Sequence, residues 1–544
     1  MRANVWKVAA KPPYPKNKNW LLKLLAQNRG LTTKKKLNQF LNPRLEDVLK
    51  INPSDTKRAL ERIIKAIKNK EKIIVYSDYD ADGICATAIM WETLYDLGAQ
   101  VLPYVPHRIK EGYGLSKGAI DKLAKKGVKL IITVDHGVTA NDQVAHAKSL
   151  GLDVIITDHH VLPKKLPQAS AIVHTTDLCG AGVAWRFCFN IVKRLKSSYQ
   201  ETLIEKLELA ALATIADLVP LLSANRAIVK IGLEKLRETK RYGIKALIKA
   251  SNLTSQLGTY EIGHILAPRI NAMGRIEHGL DSLRLLCAKN QSQADDLAQL
   301  LSKTNSKRQD LTAKAIARAV DMVDSESPIG IISHHLWHEG IIGLVAARLV
   351  ETHHKPMVVI SRGEVYSKGS ARSVPGFNMV EAIRSSASEL LVDAGGHPMA
   401  AGFTIETKHI EEFQSKLISY AESHISQELL RPIINIECEL DKKDINGQIM
   451  ATTKLFEPYG VANPQPLFLT RDMLVEDVRS VGTTGQHLKL QLDGFGAIGF
   501  NMGEVKAAMR PGYLVDLVYT LAEDNYNGNG RLQLKIKDLA ITPN

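Results

Sequence analysis

KIIVYSDYDADG, residues 72–83, is the stretch on which the reading of this 544-residue chain turns. Ile73 to Ser77 has the composition of a buried strand and runs straight into Asp78, Asp80 and Asp82, followed by Gly83. Like charges at alternate positions repel one another and raise each other's pKa unless a cation neutralises them. The stretch therefore predicts a strand that ends at a cation site.

Working outward, VKLIITV (128–134) and LDVIIT (152–157) are further apolar runs of strand length, as expected for parallel strands covered on both faces. Helix-like segments separate them, GICATAIMWETLYDLG (83–98) and SKGAIDKLAKKG (116–127). The alternation predicts an α/β domain with a doubly wound parallel sheet. Each run ends in polar residues: Asp78 and Asp80, then DHG (135–137), then DHH (158–160). Ligands of open α/β sheets gather at the carboxyl ends of the strands, so the three clusters should converge. A lone Asp217 closes the apolar helix LAALATIADLVPL (209–221). The candidate ligands are Asp78, Asp80, Asp135, His159 and Asp217; oxygen donors with an imidazole suit Mn²⁺ or Mg²⁺. Two such ions would clamp the attacking and leaving oxygens of a phosphoryl transfer. Asp82 and Asp158 read as partners that orient a ligand, and His160 as a phosphate contact.

The rest of the chain divides by texture. Residues 1–55 form a basic segment; within 1–50, 12 Lys or Arg stand against Glu46 and Asp47, a net of +10 out of +14 for the whole protein. Such local charge suits a polyanion, or simply a solvated lysine-rich face. The α/β catalytic domain is expected over 56–290 and one long helix, free of Gly and Pro, over 291–323. A second α/β unit spans 324–430, and a β-rich C-terminal domain with the spacing of a small barrel spans 431–544. No apolar run reaches the ~18 residues of a membrane span. The five cysteines form no CxxC pair, and residues 1–20 lack a secretory apolar core; a cytoplasmic location and no membrane partner are the expectation.

DYDADG, VDHG, TDHH and ATIADLVPL resemble the four motifs of the DHH phosphoesterase superfamily. GAGVAW (180–185), APRINAMGR (267–275), WHEGIIGLVAARL (337–349), KGSARSVPGFNM (368–379) and GGHPMAAGF (395–403) narrow the resemblance to its RecJ family, with a DHHA1 domain and a C-terminal OB barrel. The resemblance implies a single-stranded-DNA-specific 5′→3′ exonuclease that releases 5′-mononucleotides by two-metal hydrolysis in DNA repair and recombination. It makes Asp80, Asp135, His159 and Asp217 ligands of one ion and Asp78 with bridging Asp135 ligands of the second. Ser370, Arg372, Arg108 and Arg275 become phosphate-binding candidates. Single-stranded DNA, a single-stranded-DNA-binding protein and a helicase are the implied partners, and a monomer the implied state. DHG stands where the family commonly has DNG, so His136 either adds an imidazole near the metals or replaces an amide. The barrel region carries 12 basic against 14 acidic residues; its Phe495 and Phe500 serve as core or as base-stacking platforms. Alternatives are a DHH–DHHA1 phosphodiesterase for short oligonucleotides or cyclic dinucleotides, which would lack the barrel, and a non-catalytic single-strand-binding relative, which would lack the carboxylates.

Overall fold

The computed structural model describes residues 4–13, 16–195, 197–524 and 530–542, so the outermost residues of the expected first and last segments lie outside it. The chain divides into two compact units. The first is built from Pro53–Ala216 and Leu236–Pro432, the second from Val5–Asn52, Asp217–Lys235 and Ile433–Asn544.

In the first unit, the expected parallel sheet comprises β1 (Lys72–Ser77), β2 (Gln100–Tyr104), β3 (Val128–Val134), β4 (Asp153–Asp158) and β5 (Ala171–His174) in the order β2-β1-β3-β4-β5. All neighbours are parallel. Ile73–Ser77 and Leu130–Val134 are buried along their whole length, which is why neither run alternates polar with apolar residues. From β1 the chain goes first to β2 on one side and then to β3 on the other. The carboxyl ends of β1 and β3 therefore flank a topological switch point, where open sheets bind ligands. Helix α1 (Ala81–Asp96) follows β1 and is apolar nearly all round because it is buried.

Helices α2 (Gly180–Leu195) and α3 (Leu207–Ala216) pack on α1. Helix α4 (Ala267–Ile276) leads to the long helix α5 (Gln291–Val320), which ends three residues before the expected 323. A second sheet contains β6 (Gly330–His334), β7 (Met357–Ser361), β8 (Tyr366–Arg372), β9 (Leu391–His397) and β10 (Ala400–Glu406), in the order β9-β10-β8-β7-β6. Between β6 and β7 runs α6 (Ile342–His353), and α5 packs against both α4 and α6. Among the described residues no helix is long and apolar enough to cross a membrane.

The second unit contains the barrel: β11 (Phe468–Val481), β12 (His487–Leu492), β13 (Phe495–Gly499), β14 (Leu514–Glu523) and β15 (Leu532–Thr542), closed by the β11–β14 pairing. The basic N-terminal segment is not a separate arm. Its strand Val5–Val8 pairs in parallel with Ile433–Ile436, and Trp20, Leu21, Leu24, Leu25 and Phe40 join one apolar cluster with Phe456, Phe468 and Tyr519. Lysine density hid this: the apolar residues occupy one face of the helix Trp20–Asn28, while exposed lysines cover the outside, Lys34, Lys35 and Lys36 of the next helix standing in one run. Phe495 packs against the same cluster as expected of a core residue, whereas Phe500 is 56% exposed.

Asp217–Lys235, expected within the catalytic domain, belongs to this second unit because of Arg226. Its fully buried guanidinium donates to the carbonyl oxygens of Phe40, Phe456, Glu457 and Pro458 at 2.6–3.1 Å. Burial lowers its pKa to about 10, so it remains charged at neutral pH. Arg226→Met removes the guanidinium from all four carbonyls, of which Phe456 O and Pro458 O still accept from Asn463 Nδ2, and should cost about 3–5 kcal/mol, read as a lower urea midpoint at unchanged slope.

Candidate metal centre

Asp78 and Asp80 stand where β1 turns into α1. Asp80 caps the helix, its side chain accepting the Gly83 N–H at 3.0 Å. Asp78 packs so tightly under the first turn that a Cβ at Gly83 would lie 2.5 Å from the Asp78 Cβ, so only glycine fits. At the end of β3, Asp135 adopts a positive φ of 66° and its N–H donates to Thr157 O on β4. A Cβ at Gly180 would lie 2.4 Å from Asp135 Oδ1. The glycines of DADG and GAGVAW thus make room for carboxylates.

These placements bring Asp78, Asp80 and Asp135 together with one oxygen of each within 4.8 Å of the others. Asp135 also groups with His159 and His160, and Asp82 with His159 and Asp217. Asp217 is the residue after Ala216, so the peptide bond fixes it to the end of α3. His159 Nε2 is 3.1 Å from Asp135 Oδ1 and 3.8 Å from Asp82 Oδ2. Burial pushes the Asp78 carboxyl well above its ordinary pKa, and the Asp80 charge adds to this; Asp80 is raised by burial and then by Asp82. Burial lowers the pKa of His159, which favours the neutral imidazole that ligates metal. Crowded buried oxygens with a neutral imidazole fit hard divalent cations.

Asp82 and Asp158 are engaged differently. Asp82 accepts the N–H groups of Gly180 and Ala181 at 2.7 Å each, tying α1 to the start of α2. Asp158 Oδ1 accepts from the backbone of His159 and His160 and from His160 Nδ1, and its Oδ2 accepts from Val138 N–H. Those bonds hold its pKa far below the usual carboxylate range although burial opposes them. His136 joins none of the candidate clusters among the described residues. Its buried ring donates from Nε2 to Tyr76 O at 3.2 Å, and burial lowers its pKa to about 4.

The basic candidates lie in the same unit. Arg108 stacks over the Tyr79 ring at 5.1 Å. Arg372 at the end of β8 donates to Ser370 Oγ at 3.2 Å and to Ala371 O at 2.8 Å. Both side chains face the first turn of α6, where a Cβ at Gly343 would lie 3.0 Å from Ser370 Oγ and Arg372 Nη2. Arg275 donates to Gly340 O at 3.3 Å, and a Cβ at Gly340 would meet Arg275 O at 2.1 Å. The two glycines of HEGIIG therefore seat α6 against α4 and against the Ser370–Arg372 pair. Burial lowers the pKa of Arg275 to about 10, helped by Arg108, Arg308 and Arg372.

Two residues escaped the sequence reading. Asn271 Oδ1 accepts the Ala81 N–H at 2.7 Å and so fixes the DYDADG turn; its place in NAMGR was the available signal. His397, in GGHPM, lies nearly parallel to His160, with centroids 6.3 Å apart and planes 10° apart.

A switch-point sheet whose strand ends crowd carboxylates and histidines, joined by a long helix to a second α/β lobe, defines a DHH-type phosphoesterase. The model of the DHH family, N-terminal domain, matches residues 72–215; those of the DHHA1 domain and the RecJ OB domain match 326–423 and 436–538. The chain is 36% identical to the single-stranded-DNA-specific exonuclease RecJ of Bacillus subtilis over 96% of its own length and 68% of the relative's. Against that of Haemophilus influenzae the identity is 31%, covering 95% of each. The crystal structure of Thermus thermophilus RecJ in complex with Mn²⁺ superposes with a TM-score of 0.84 at 29% identity, over 99% of this chain and 80% of that one; the Mg²⁺ complex gives 0.79. The chain belongs to the RecJ family.

Proposed function

We infer that the chain is a metal-dependent exonuclease specific for single-stranded DNA, using Mn²⁺ or Mg²⁺, which removes 5′-mononucleotides in the 5′→3′ direction during DNA repair and recombination. The observation that carries this reading is the approach of Asp78, Asp80 and Asp135 to within 4.8 Å of one another. Asp80, Asp135, His159 and Asp217 would hold one cation, and Asp78 with the bridging Asp135 the other. Two bound cations supply charge neutralisation at the scissile phosphate and polarise the oxygens that attack and leave.

The remaining side chains position. Asp158 holds the Nδ1 proton of His160, which orients the ring toward a substrate phosphate. Ser370 and Arg372 bind phosphate as a pair, the hydroxyl being already hydrogen-bonded to the guanidinium, and Arg108 and Arg275 add guanidinium donors suited to phosphate. A monomer in the cytoplasm, working with a single-stranded-DNA-binding protein and a helicase, completes the proposal, as does the division into a catalytic domain (56–290), a connecting helix, a DHHA1 domain (324–430) and an OB barrel (431–544).

Degradation of 5′- and 3′-end-labelled single strands with Mn²⁺ or Mg²⁺ tests the reading. Release of labelled mononucleotide from the 5′ label at once, and from the 3′ label only at the end, is expected; the reverse order overturns the polarity. The basic N-terminal surface is tested without truncation, because its helices are core. Replacing exposed Lys34, Lys35 and Lys36 together by alanine should flatten the plot of log K against log salt by up to about 2, roughly 0.7 for each phosphate no longer neutralised. An unchanged slope returns those lysines to a solvated face.

A further inference from the structure

The helical stretch that becomes α4 begins at Thr259–Glu261 and passes through one turn of π-helix, Ile262–Leu266, before Ala267. Single π turns are rare and concentrate where a helix has to present side chains for function. This one presents Tyr260 and His264. Their rings lie face to face, centroids 4.5 Å apart and planes 19° apart, and His264 Nδ1 donates to Tyr260 O at 3.3 Å. Both side chains are exposed, Tyr260 to 63%. Two parallel rings open to solvent offer an aromatic face that the protein itself leaves uncovered.

The turn that carries the pair packs on the end of α3. Ile262 and Leu266 of the same turn are buried, and a Cβ at Gly263 would lie 3.5 Å from Ile215, which precedes Asp217 by two residues. Further along the same helix come Asn271, which fixes the DYDADG turn, and Arg275. A second feature runs alongside. Arg269 lies one π-turn beyond His264 and donates to Ile265 O; Arg308 of α5 is half-buried, with its Nε lacking a hydrogen-bond partner among the described residues. Burial lowers the pKa of Arg308 and the Arg269 charge lowers it further, while Arg308 in turn depresses that of Arg275. A half-buried guanidinium with an unpartnered Nε suits a phosphate, and an open aromatic face on the neighbouring helix suits a polyanion that carries flat bases.

We propose that Tyr260 and His264 form a stacking platform for a nucleobase of the strand that leads into the metal centre, with Arg269 and Arg308 serving the phosphates beside it. The proposal rests on the reading of single-stranded DNA as substrate. Stacking is indifferent to which base is present, so the platform suits an enzyme that digests any sequence.

The test uses the full chain and oligo-dT strands carrying a single abasic residue at successive positions from the 5′ end. Equilibrium binding is measured in EDTA by fluorescence anisotropy, and turnover separately with Mn²⁺. In the unaltered protein one abasic position should weaken binding about tenfold. Tyr260→Ala with His264→Ala should weaken binding of the intact strand by a similar factor, raise KM with kcat nearly unchanged, and abolish the sensitivity to that abasic position. Tyr260→Phe with His264→Phe should restore all three, and the melting temperature should stay near that of the parent because the rings are exposed. Intact and abasic strands bound equally by parent and alanine variant would overturn the platform even if digestion proceeds normally. Position-dependent binding without digestion would retain the platform and overturn the exonuclease reading instead.

Discussion

Asp135→Ala should reduce cleavage of single-stranded DNA by roughly a thousandfold or more while leaving strand binding within a few-fold of the parent. Asp135 is the carboxylate common to two of the candidate clusters, with Asp78 and Asp80 on one side and His159 on the other. Losing it separates any two cations that the others could hold. Charge stabilisation by such ions is worth several kcal/mol at the transition state, and each 1.36 kcal/mol is tenfold in rate. A readout besides activity comes from melting. Mn²⁺ at 100 times its Kd stabilises the folded protein by about 2.7 kcal/mol, and that gain should vanish in the variant. Near-normal turnover, or an undiminished Mn²⁺ shift, would remove Asp135 from the centre.

Arg372→Ala should slow digestion of 5′-phosphorylated strands by roughly 10- to 100-fold and of 5′-hydroxyl strands much less. A hydrogen bond to a charged group is worth about 1.5–3 kcal/mol, and a terminal phosphate carries nearly a second negative charge at neutral pH. The surroundings favour an anion. Burial lowers the pKa of Arg372, with Arg108 the next cause, and its hydrogen bonds go to the Ser370 hydroxyl and to a backbone carbonyl. Ser370 should track Arg372 in this assay, because its hydroxyl oxygen accepts from the guanidinium while its own proton can be given to phosphate. Equal losses on both substrates would make Arg372 a general backbone contact. The 5′ end would then be read elsewhere, with Arg108 and Arg275 next to test.

The sequence by itself determined the parallel sheet and where its ligand site lies. Runs such as VKLIITV are apolar without alternation, so they had to be covered on both faces, and polar residues could appear only where each strand ends. It also marked the end of the first strand as a place where carboxylates crowd, since DYDADG repeats charge at alternate positions, and determined the closed barrel, from short strands set at turn-punctuated spacing. What it could not determine depended on contacts between residues far apart in the chain. The role of Asp82 follows from two N–H groups about a hundred residues away, and Asn271 serves a turn 190 residues before it. His136, one residue from a candidate ligand, is held instead by the Tyr76 carbonyl, 60 residues before it. The N-terminal segment read as a charged arm because charge is counted along the chain, whereas its apolar face is defined only around a helix and against the barrel that buries it. Local pattern fixes where a chain must hide apolar surface; only the tertiary structure decides which polar groups meet, because each such meeting joins segments that no local pattern relates.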